Sequence, residues 1–269
     1  MLNLILDSVI NGESLYRLIN TPNSNLLIID ARSFSDYING HIPGAINLDL
    51  MNFHWFDTST EGIIQFNKQM KVLLNFLGID YQRCVVFYDD ISGSSASRGI
   101  WLLHYFSIKD VYILDGGFTN WLKSDYPIET KTNPFMRSKN DFTINNKVLA
   151  DAEYIKKRLE KNVDDIVIID CRSEMEYDGS VARASRIGHI PNAININWIN
   201  NLENEKFKEF EKLAQLYSFI PKDKEIITYC QGGYRAANTY LILKKLGYSN
   251  VKLYLGSWGE WGNIPTFPI

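Results

Sequence analysis

Short, continuous apolar segments alternate along the chain with longer segments of helical periodicity. Six of the apolar segments are rich in β-branched residues: LLIID, VVFY and VYIL in the first half, and IVIID, EIITY and VKLYL in the second. Strands of this kind are typically buried on both faces, as in a parallel sheet. Between them, NKQMKVLLNFLG and RAANTYLILKKLG predict helices that end at a glycine. Strands that alternate with helices predict an α/β fold with a largely parallel sheet.

This pattern occurs twice in the chain, and the two copies are offset by about 140 residues. The segment 26–48, LLIIDARSFSDYINGHIPGAINL, reappears at 166–196 as IVIIDCRSEMEYDGS…RIGHIPNAINI. The second copy carries an insertion near VARASR, before the shared Gly-His-Ile-Pro. Segment 84–121 likewise matches segment 225–261. The chain is therefore predicted to contain a duplicated α/β domain.

The segment between the two copies, ETKTNPFMRSKNDFTINN, is polar and lacks periodicity, which is typical of a linker. It divides the chain into an N-terminal domain at residues 1–128, a linker at 129–146 and a C-terminal domain at 147–269. The length of 269 residues suits two modest domains. With 45% hydrophobic and 22% charged residues, each domain has the composition of a globular protein that buries a core.

The net charge and the cysteine content indicate which binding partners and which cellular compartment to expect. The net charge of −3 creates no field that favours nucleic acid or an anionic membrane. No apolar run approaches the roughly 20 residues of a membrane-spanning helix, and the N-terminus lacks the features of a signal peptide. The three sparse cysteines, Cys84, Cys171 and Cys230, indicate a reducing compartment rather than a disulfide framework. We therefore expect a cytoplasmic protein with neither a nucleic-acid nor a membrane partner.

Two histidines lie in a motif that both copies share. His41 in GHIPGA and His189 in GHIPNA are candidates for a general base, but glycine and proline around a histidine are typical of a tight turn. Because the motif occurs in both copies, we interpret both histidines as structural, and the repeated Asp-x-Arg segments as local ion pairs. No histidine clusters with the cysteines in the sequence, so no metal site is predicted.

The end of one repeated strand differs between the copies. VVFYD aligns with IITYC, so Asp89 stands where the second copy has Cys230. A cysteine at a strand end is ordinarily an inert core thiol. Here Gly232 and Gly233 allow a tight loop, and a helix begins within about five residues. Loop N–H groups and a helix N-terminus form an anion-binding nest that stabilises a thiolate. Cys230 is therefore predicted to be a nucleophile.

The other two cysteines lack this context. Cys84 precedes an apolar strand, and Cys171 lies in an Asp-x-Arg turn where the first copy has Ala31. We interpret both as structural. Arg235, at the start of the helix after the loop, has two interpretations: contact with an anionic substrate, or fastening of the loop.

The two copies resemble the rhodanese superfamily, specifically its tandem-domain sulfurtransferases. YINGHIPGAINL is similar to the N-terminal signature of that family, and VKLYLGSWGEW to its C-terminal signature, except that Leu255 stands where an acidic or small residue is typical. CQGGYR resembles the six-residue active-site loop. Asp89 matches a substitution common in the inactive first domain. The resemblance covers nearly the whole chain and implies two tandem rhodanese-like domains, of which the C-terminal one is catalytic.

The resemblance also implies a mechanism that needs no metal or organic cofactor. The thiolate of Cys230 attacks the outer sulfur of a small-molecule donor and becomes a persulfide, and cyanide or a thiol then removes that sulfur. By resemblance, loop residues bind the substrate sulfur through their N–H groups; they are Gln231, Gly232, Gly233, Tyr234 and Arg235.

The donor is less well defined by the resemblance. Members that use thiosulfate often carry basic residues after the cysteine, and those that use 3-mercaptopyruvate often read Cys-Gly-(Ser/Ala)-Gly-Val-Thr; this loop has neither sequence. Many members also carry an arginine at the position of Glu176. We hypothesise that Arg183 or Arg186, from the insertion, replaces that cation; a solvated basic loop is the alternative. Thiosulfate is the favoured donor and 3-mercaptopyruvate the alternative.

Two other functions are considered. Cell-cycle phosphatases share this fold but place five residues between cysteine and arginine, whereas the four residues here form a smaller loop that suits a sulfur atom better than a phosphate. The second is a relay that passes the persulfide sulfur to a protein partner. It differs from the sulfurtransferase only in the acceptor of the sulfur. The segment MNFHWFDTSTEGIIQF is a candidate for binding such a partner, although aromatic residues of this kind more often line a core or cleft.

Overall fold

The structure is a computed structural model that describes residues 8–161 and 165–269. The six β-branched segments of the sequence form the six longest strands of this part of the chain, as predicted. In chain order, the strands are β1 (Val9–Ile10), β2 (Leu26–Asp30), β3 (Ile46–Asn47), β4 (Cys84–Tyr88), β5 (Val111–Leu114), β6 (Leu149–Ala150), β7 (Ile166–Asp170), β8 (Ile194–Asn195), β9 (Leu202–Glu203), β10 (Lys206–Phe207), β11 (Glu225–Tyr229) and β12 (Val251–Tyr254).

Polar N-cap residues begin several of the helices; the side chains of Asn11, Ser33, Asp151 and Ser173 each accept a hydrogen bond from an N–H of the first turn. None of the helices within the described residues is long and apolar enough to cross a membrane. The helices are α1 (Gly12–Ile19), α2 (Phe34–Asn39), α3 (Thr60–Phe76), α4 (Ser94–Tyr105), α5 (Gly117–Lys123), α6 (Ala152–Glu160), α7 (Glu174–Tyr177), α8 (Phe210–Leu216), α9 (Tyr234–Lys245) and α10 (Ser257–Trp261).

The chain forms two compact units, and these units do not coincide with the two halves of the sequence. Each unit takes one short segment from the opposite half of the sequence. Unit 1 consists of the described residues within Met1–Phe53, Lys68–Ile144 and Leu202–Phe207, and unit 2 of those within His54–Asn67, Asn145–Asn201 and Lys208–Ile269.

The segment after residue 128, which the sequence suggests is a linker, belongs to unit 1 as far as Ile144. Glu129 pairs with His41 through two backbone hydrogen bonds of 2.9 Å, and its carboxylate accepts the N–H of Gly44 at 2.7 Å. Further along, Phe142 is 2% exposed. A segment without periodicity can still be held by such bonds, which the hydrophobic pattern does not reveal.

Unit 1 is built on a five-stranded parallel sheet with the order β1-β5-β4-β2-β3, and the short antiparallel pair β9–β10 also belongs to it. Helices flank the sheet, and α4 packs on β4 and β5. One of its core clusters includes Leu15, Ile28, Val86, Leu114 and Trp121.

Unit 2 repeats the arrangement with the order β6-β12-β11-β7-β8, again all parallel. Here α9 packs on β11 and β12. The carboxyl ends of parallel strands meet at one edge of the sheet, so the loops after β7, β11 and β12 are brought together there. The core includes Ile168, Ile227, Tyr229, Trp258 and Trp261, and each such buried side chain stabilises the fold by roughly 1.5–3 kcal/mol.

The shared histidine and Asp-x-Arg motifs make the same local contacts in both units, and the Asp-x-Arg pairs are the local ion pairs that the sequence predicts. In unit 2, His189 Nδ1 lies 2.9 Å from the carbonyl of Tyr177, and the two rings stack with their centroids 3.8 Å apart. Arg172 donates to Asp170 at 2.6 Å and to the carbonyl of Gly188 at 2.8 Å. Equivalent contacts are made in unit 1 by His41 with Tyr37, and by Arg32 with Asp30 and Gly40.

Candidate active site

The loop after β11 holds the candidate nucleophile. Cys230 directly follows the strand and is 1% exposed. Three residues later, Gly233 is the N-cap of the 12-residue helix α9 and has φ = 83°, a left-handed conformation that favours glycine. The thiol is therefore separated from the N-terminus of a helix by one short turn, where the helix dipole favours negative charge.

The start of α10 holds the first residues of this loop in place. The N–H of Cys230 donates to Ser257 Oγ at 3.2 Å, and its carbonyl accepts the N–H of Trp258 at 2.9 Å. The carbonyl of Gln231 accepts the N–H of Gly259 at 2.8 Å. Ser257 itself adopts φ = 52°, which is unusual for a residue with a side chain. Two carbonyl groups of the loop are thus bonded to α10.

The equivalent loop of unit 1 is filled by a carboxylate. Asp89 follows β4 and is 8% exposed, and its oxygens accept the N–H groups of Gly93, Ser95 and Ala96 at 3.0, 3.0 and 3.1 Å. Burial raises the pKa of Asp89 to about 6, although these N–H groups act in the opposite direction. The group is therefore an anion at neutral pH. In the first copy, this turn between strand and helix surrounds a negative charge with backbone N–H groups.

An arginine and a glutamate form a buried ion pair beside the cysteine. Arg235, in the first turn of α9, donates to both carboxylate oxygens of Glu176 at 2.6 and 2.9 Å. Burial alone would raise the pKa of Glu176, but Arg235 together with Ser173 holds it at about 2. The Arg235 guanidinium in turn has a raised pKa against the effect of burial, because Glu176 and the nearby Cys230 favour its charge. The charge of Arg235 is thus largely balanced by Glu176.

A comparison with known families identifies the family of both halves of the chain. The Rhodanese-like domain family matches residues 11–124 and again residues 151–264. The chain belongs to the rhodanese family. The two matches confirm the tandem duplication, and the two parallel sheets flanked by helices confirm the predicted fold class.

Individual relatives cover nearly the full chain. Thiosulfate sulfurtransferase of Azotobacter vinelandii is 35% identical over 249 residues, which are 91% of this chain and 90% of that protein. Sulfur carrier protein TtuD of Thermus thermophilus is 32% identical over 253 residues, which are 87% of this chain and 86% of that protein. The crystal structure of SseA from Escherichia coli, a 3-mercaptopyruvate sulfotransferase by its description, has a TM-score of 0.80 at 27% identity and covers 94% of this chain and 99% of its own. The protein is therefore an enzyme of the sulfurtransferase class.

The two arginines of the insertion have different surroundings in this rhodanese-family chain. Arg183 is 59% exposed, and its Nε lies 3.4 Å from Glu176. Its carbonyl accepts the side-chain amide of Gln231 at 2.9 Å, which places the insertion against the loop. Arg183 therefore stays a candidate for substrate binding.

Arg186, the other candidate cation, lies against the C-terminal segment. Its guanidinium donates to the carbonyls of Phe267 at 2.6 Å and Trp261 at 2.7 Å, and approaches that of Gly262 at 3.4 Å. These bonds fasten the C-terminal segment to the insertion. Most donors of this guanidinium are therefore used within the protein, which makes Arg183 the stronger candidate for the cation that meets the substrate.

The sequence analysis did not identify two side chains that lie against the loop. The segment His54–Asn67 belongs to unit 2 although it comes from the first half of the sequence. A Cβ on Gly232 would lie 2.7 Å from His54 Cδ2, and one on Gly259 would lie 2.3 Å from Phe56 Cε1. The ring of His54 also lies 4.8 Å, centroid to centroid, from that of Tyr234. In the sequence, only the aromatic content of this segment indicated that it lines a core or a cleft.

A buried glutamate anchors the same segment. Glu260 accepts the N–H and the hydroxyl of Thr58, both at 2.6 Å, and the hydroxyl of Tyr254 at 2.7 Å. Burial raises the pKa of Glu260, and the hydrogen bonds from Thr58 oppose that shift. The segment that carries His54 and Phe56 is therefore fixed within unit 2.

Proposed function

We propose that the protein transfers sulfane sulfur from thiosulfate to a thiophilic acceptor, cyanide or a thiol, through a persulfide on Cys230. The observation that carries this proposal is the pair of equivalent loops. In unit 1 the loop between strand and helix surrounds the carboxylate of Asp89 with backbone N–H groups, and in unit 2 the shorter loop at the corresponding strand end carries a thiol. A loop that receives an anion stabilises both a thiolate and the terminal sulfur of a persulfide.

Each proposed step uses groups of this loop. The Cys230 thiolate attacks the outer sulfur of thiosulfate, and sulfite leaves with the electron pair of the broken sulfur–sulfur bond. The N–H groups of the loop then hold the persulfide until an acceptor attacks its terminal sulfur. The residues assigned to this role are Gln231, Gly232, Gly233, Tyr234 and Arg235.

We assign the two copies different tasks. The C-terminal domain, at residues 147–269, is proposed to be catalytic, and the N-terminal domain, at residues 1–128, to be inactive because Asp89 replaces the nucleophile. Arg183 is proposed as the exposed cation that meets the anionic donor, since it lies beside the loop with most of its side chain in solvent. A cytoplasmic location is proposed because all three cysteines are free thiols.

A second donor, 3-mercaptopyruvate, is supported by the pairing of Arg235 with Glu176. Thiosulfate carries two negative charges and 3-mercaptopyruvate carries one on its carboxylate. A guanidinium whose charge is balanced by a buried carboxylate discriminates less strongly in favour of a dianion. The SseA structure, described for a 3-mercaptopyruvate sulfotransferase, also matches this fold closely.

A protein acceptor of the persulfide sulfur is the alternative to a small acceptor. TtuD, a relative that covers most of the chain, is named a sulfur carrier protein. The same Cys230 persulfide would serve both acceptors. Fast transfer to cyanide or to small thiols would count against a relay as the main role.

Steady-state kinetics with thiosulfate and 3-mercaptopyruvate in parallel test the donor, and the mass of the intact protein tests the persulfide. Shortly after the donor alone is added, wild type is expected to gain the mass of one sulfur atom and to release the desulfurated donor, sulfite or pyruvate, whereas Cys230→Ala should do neither. An equal gain in Cys230→Ala, or neither a gain nor release of sulfite or pyruvate in wild type with either donor, would refute the persulfide mechanism.

A further inference from the structure

A second buried thiol lies next to Cys230 in the sheet. In the parallel pair β7–β11, Asp170 is the register partner of Tyr229. The ladder continues one step further, because the N–H of Cys171 donates to the carbonyl of Tyr229 at 2.8 Å. The residues that follow this last pair on the two strands are Cys171 and Cys230. Neighbouring strands are about 4.8 Å apart, within the range of about 4.4–6.8 Å that separates the Cα atoms of a disulfide.

The two thiols also face the same side of the sheet. The side chains of Asp170 and Tyr229 meet on one face, with 2.7 Å between carboxylate and hydroxyl. Successive side chains on a strand point to opposite faces, so the next residue on each strand points to the other face. That face carries α9: Cys171 interacts with Thr239, and Cys230 with the charge of Arg235.

Both thiols are confined to the copy with the candidate nucleophile. Unit 1 has Ala31 where unit 2 has Cys171, and Asp89 where it has Cys230. Ala31 continues its ladder with the same 2.8 Å bond, to the carbonyl of Tyr88, and is 1% exposed. The copy that lacks the nucleophile therefore has alanine at this place, and a thiol occurs here only beside Cys230.

We propose that Cys171 is a resolving thiol that converts the Cys230 persulfide into an intramolecular disulfide and releases sulfide, an activity that rests on the persulfide of the proposed function. Cys171 Sγ attacks Cys230 Sγ, the bond between Cys230 Sγ and the sulfane sulfur breaks, and the Cys171 proton leaves with the sulfane sulfur as hydrogen sulfide. The two cysteine sulfurs are oxidised by one electron each, and the sulfane sulfur is reduced by two. A low-molecular-weight thiol then reduces the disulfide and restores the site.

Burial makes this step slower than transfer to an external acceptor. Cys171 is fully buried, and burial raises the pKa of its thiol well above the ordinary value, while Thr239 and Arg235 act in the opposite direction. Little thiolate is present at neutral pH, so an available acceptor removes the sulfur first. Sulfide release is the outcome when no acceptor is present.

The test uses the reduced full chain, incubated with thiosulfate without acceptor and with oxygen excluded. Sulfite and sulfide are measured, and the alkylated protein is mapped by mass spectrometry. Wild type is expected to release sulfite, then about one sulfide per chain, and to yield a peptide with Cys171 linked to Cys230. Cys171→Ala and Cys171→Ser are expected to retain the persulfide and to lose sulfide release. Cys84→Ala, which removes the thiol of unit 1, is the control and should behave as wild type.

Three results would overturn the proposal, and they show whether the proposed function fails with it. A wild-type persulfide that persists without sulfide, or equal sulfide release from wild type and both Cys171 variants, refutes the resolving role while the persulfide chemistry stands. Neither sulfite nor persulfide from wild type refutes the proposed function, and the resolving role with it.

Discussion

Cys230 and Asp89 occupy the same place in two copies of one sequence, and their comparison is the basis for proposing that the second half is the reactive one. The alignment of the two strand ends is sufficient for this, because strand, loop and helix recur in the same order. What the structure adds is the hydrogen bonding of Asp89, whose carboxylate accepts three backbone N–H groups. The sequence could predict the residue types but not this direction of the N–H groups.

The partner of Arg235 could not be predicted from the sequence. Glu176 lies on α7, and the insertion intervenes between it and the loop. The sequence analysis noticed Glu176 only as a departure from the family pattern. The structure shows that it balances the guanidinium, and that Arg186 donates to the carbonyl of Phe267 in the C-terminal segment.

Glu176→Gln is expected to lower the KM for thiosulfate by about fivefold, since removing a negative charge beside Arg235 is worth about 1 kcal/mol for a dianion at a partly screened site. The KM for 3-mercaptopyruvate should change less. Steady-state kinetics with both donors measure the effect.

Glu174→Gln is the matched control, because Glu174 is exposed on the same helix and should leave both constants unchanged. A higher thiosulfate KM in Glu176→Gln would contradict the charge argument. It would show instead that Glu176 acts by holding Arg235 in place.

At the scale of elements, α9 begins and ends at glycines with the same backbone conformation. Gly233 precedes the helix and Gly247 follows it, both with φ = 83°. The glycines were identifiable in the sequence as the loop residue and the C-terminal stop of a helix. Only Gly233 belongs to the candidate site.

Gly233→Ala and Gly247→Ala should each lower the free energy of unfolding by about 1 kcal/mol, because alanine is strained in the left-handed region. Only Gly233→Ala is expected to reduce sulfur transfer as well. A Cβ on Gly247 would have no atom within 4 Å, so this variant measures the backbone strain alone. Equal losses of activity in the two variants would argue against a special role of the loop.

The loop of unit 1 predicts a pH dependence of stability. Burial raises the pKa of Asp89 from 3.8 to about 6, so its contribution to stability is present below pH 3.8 and is lost as pH rises through 6. Relative to Asp89→Asn, wild type should lose about 3 kcal/mol of stability between pH 4 and pH 8. Hydrogen exchange of the β4 and α4 amides, compared at each pH, measures the difference. A constant difference would show that the carboxylate titrates normally.

At the scale of the whole molecule, each unit includes a segment from the opposite half of the sequence. Residues His54–Asn67 belong to unit 2 and Leu202–Phe207 to unit 1. The repeat could not predict this, because duplication indicates two similar folds but not which connecting segments pack in each. The sequence-based boundaries at 128 and 146 therefore describe the repeats better than the compact units.

Thr58→Val should destabilise unit 2 by about 1–3 kcal/mol, because the buried carboxylate of Glu260 loses a hydrogen-bond donor. Sulfur transfer is expected to fall as well, since His54 and Phe56 lie on the same anchored segment. Denaturant unfolding and kinetics measure the two effects. Thr60→Val, an exposed threonine two residues later, is the control. Equal stability of the two variants would contradict the anchoring role.

The sequence by itself determined the duplicated α/β fold, the parallel sheets and the position of Cys230, because local periodicity and an internal repeat record these features directly. Tertiary structure alone decided the pairing of Arg235 with Glu176, the packing of His54 and Phe56 on the loop, and the proximity of Cys171 to Cys230. These contacts join residues that lie far apart in the sequence. They depend on the register of the strands and on the inclusion of His54–Asn67 in unit 2, and no local sequence pattern encodes either feature.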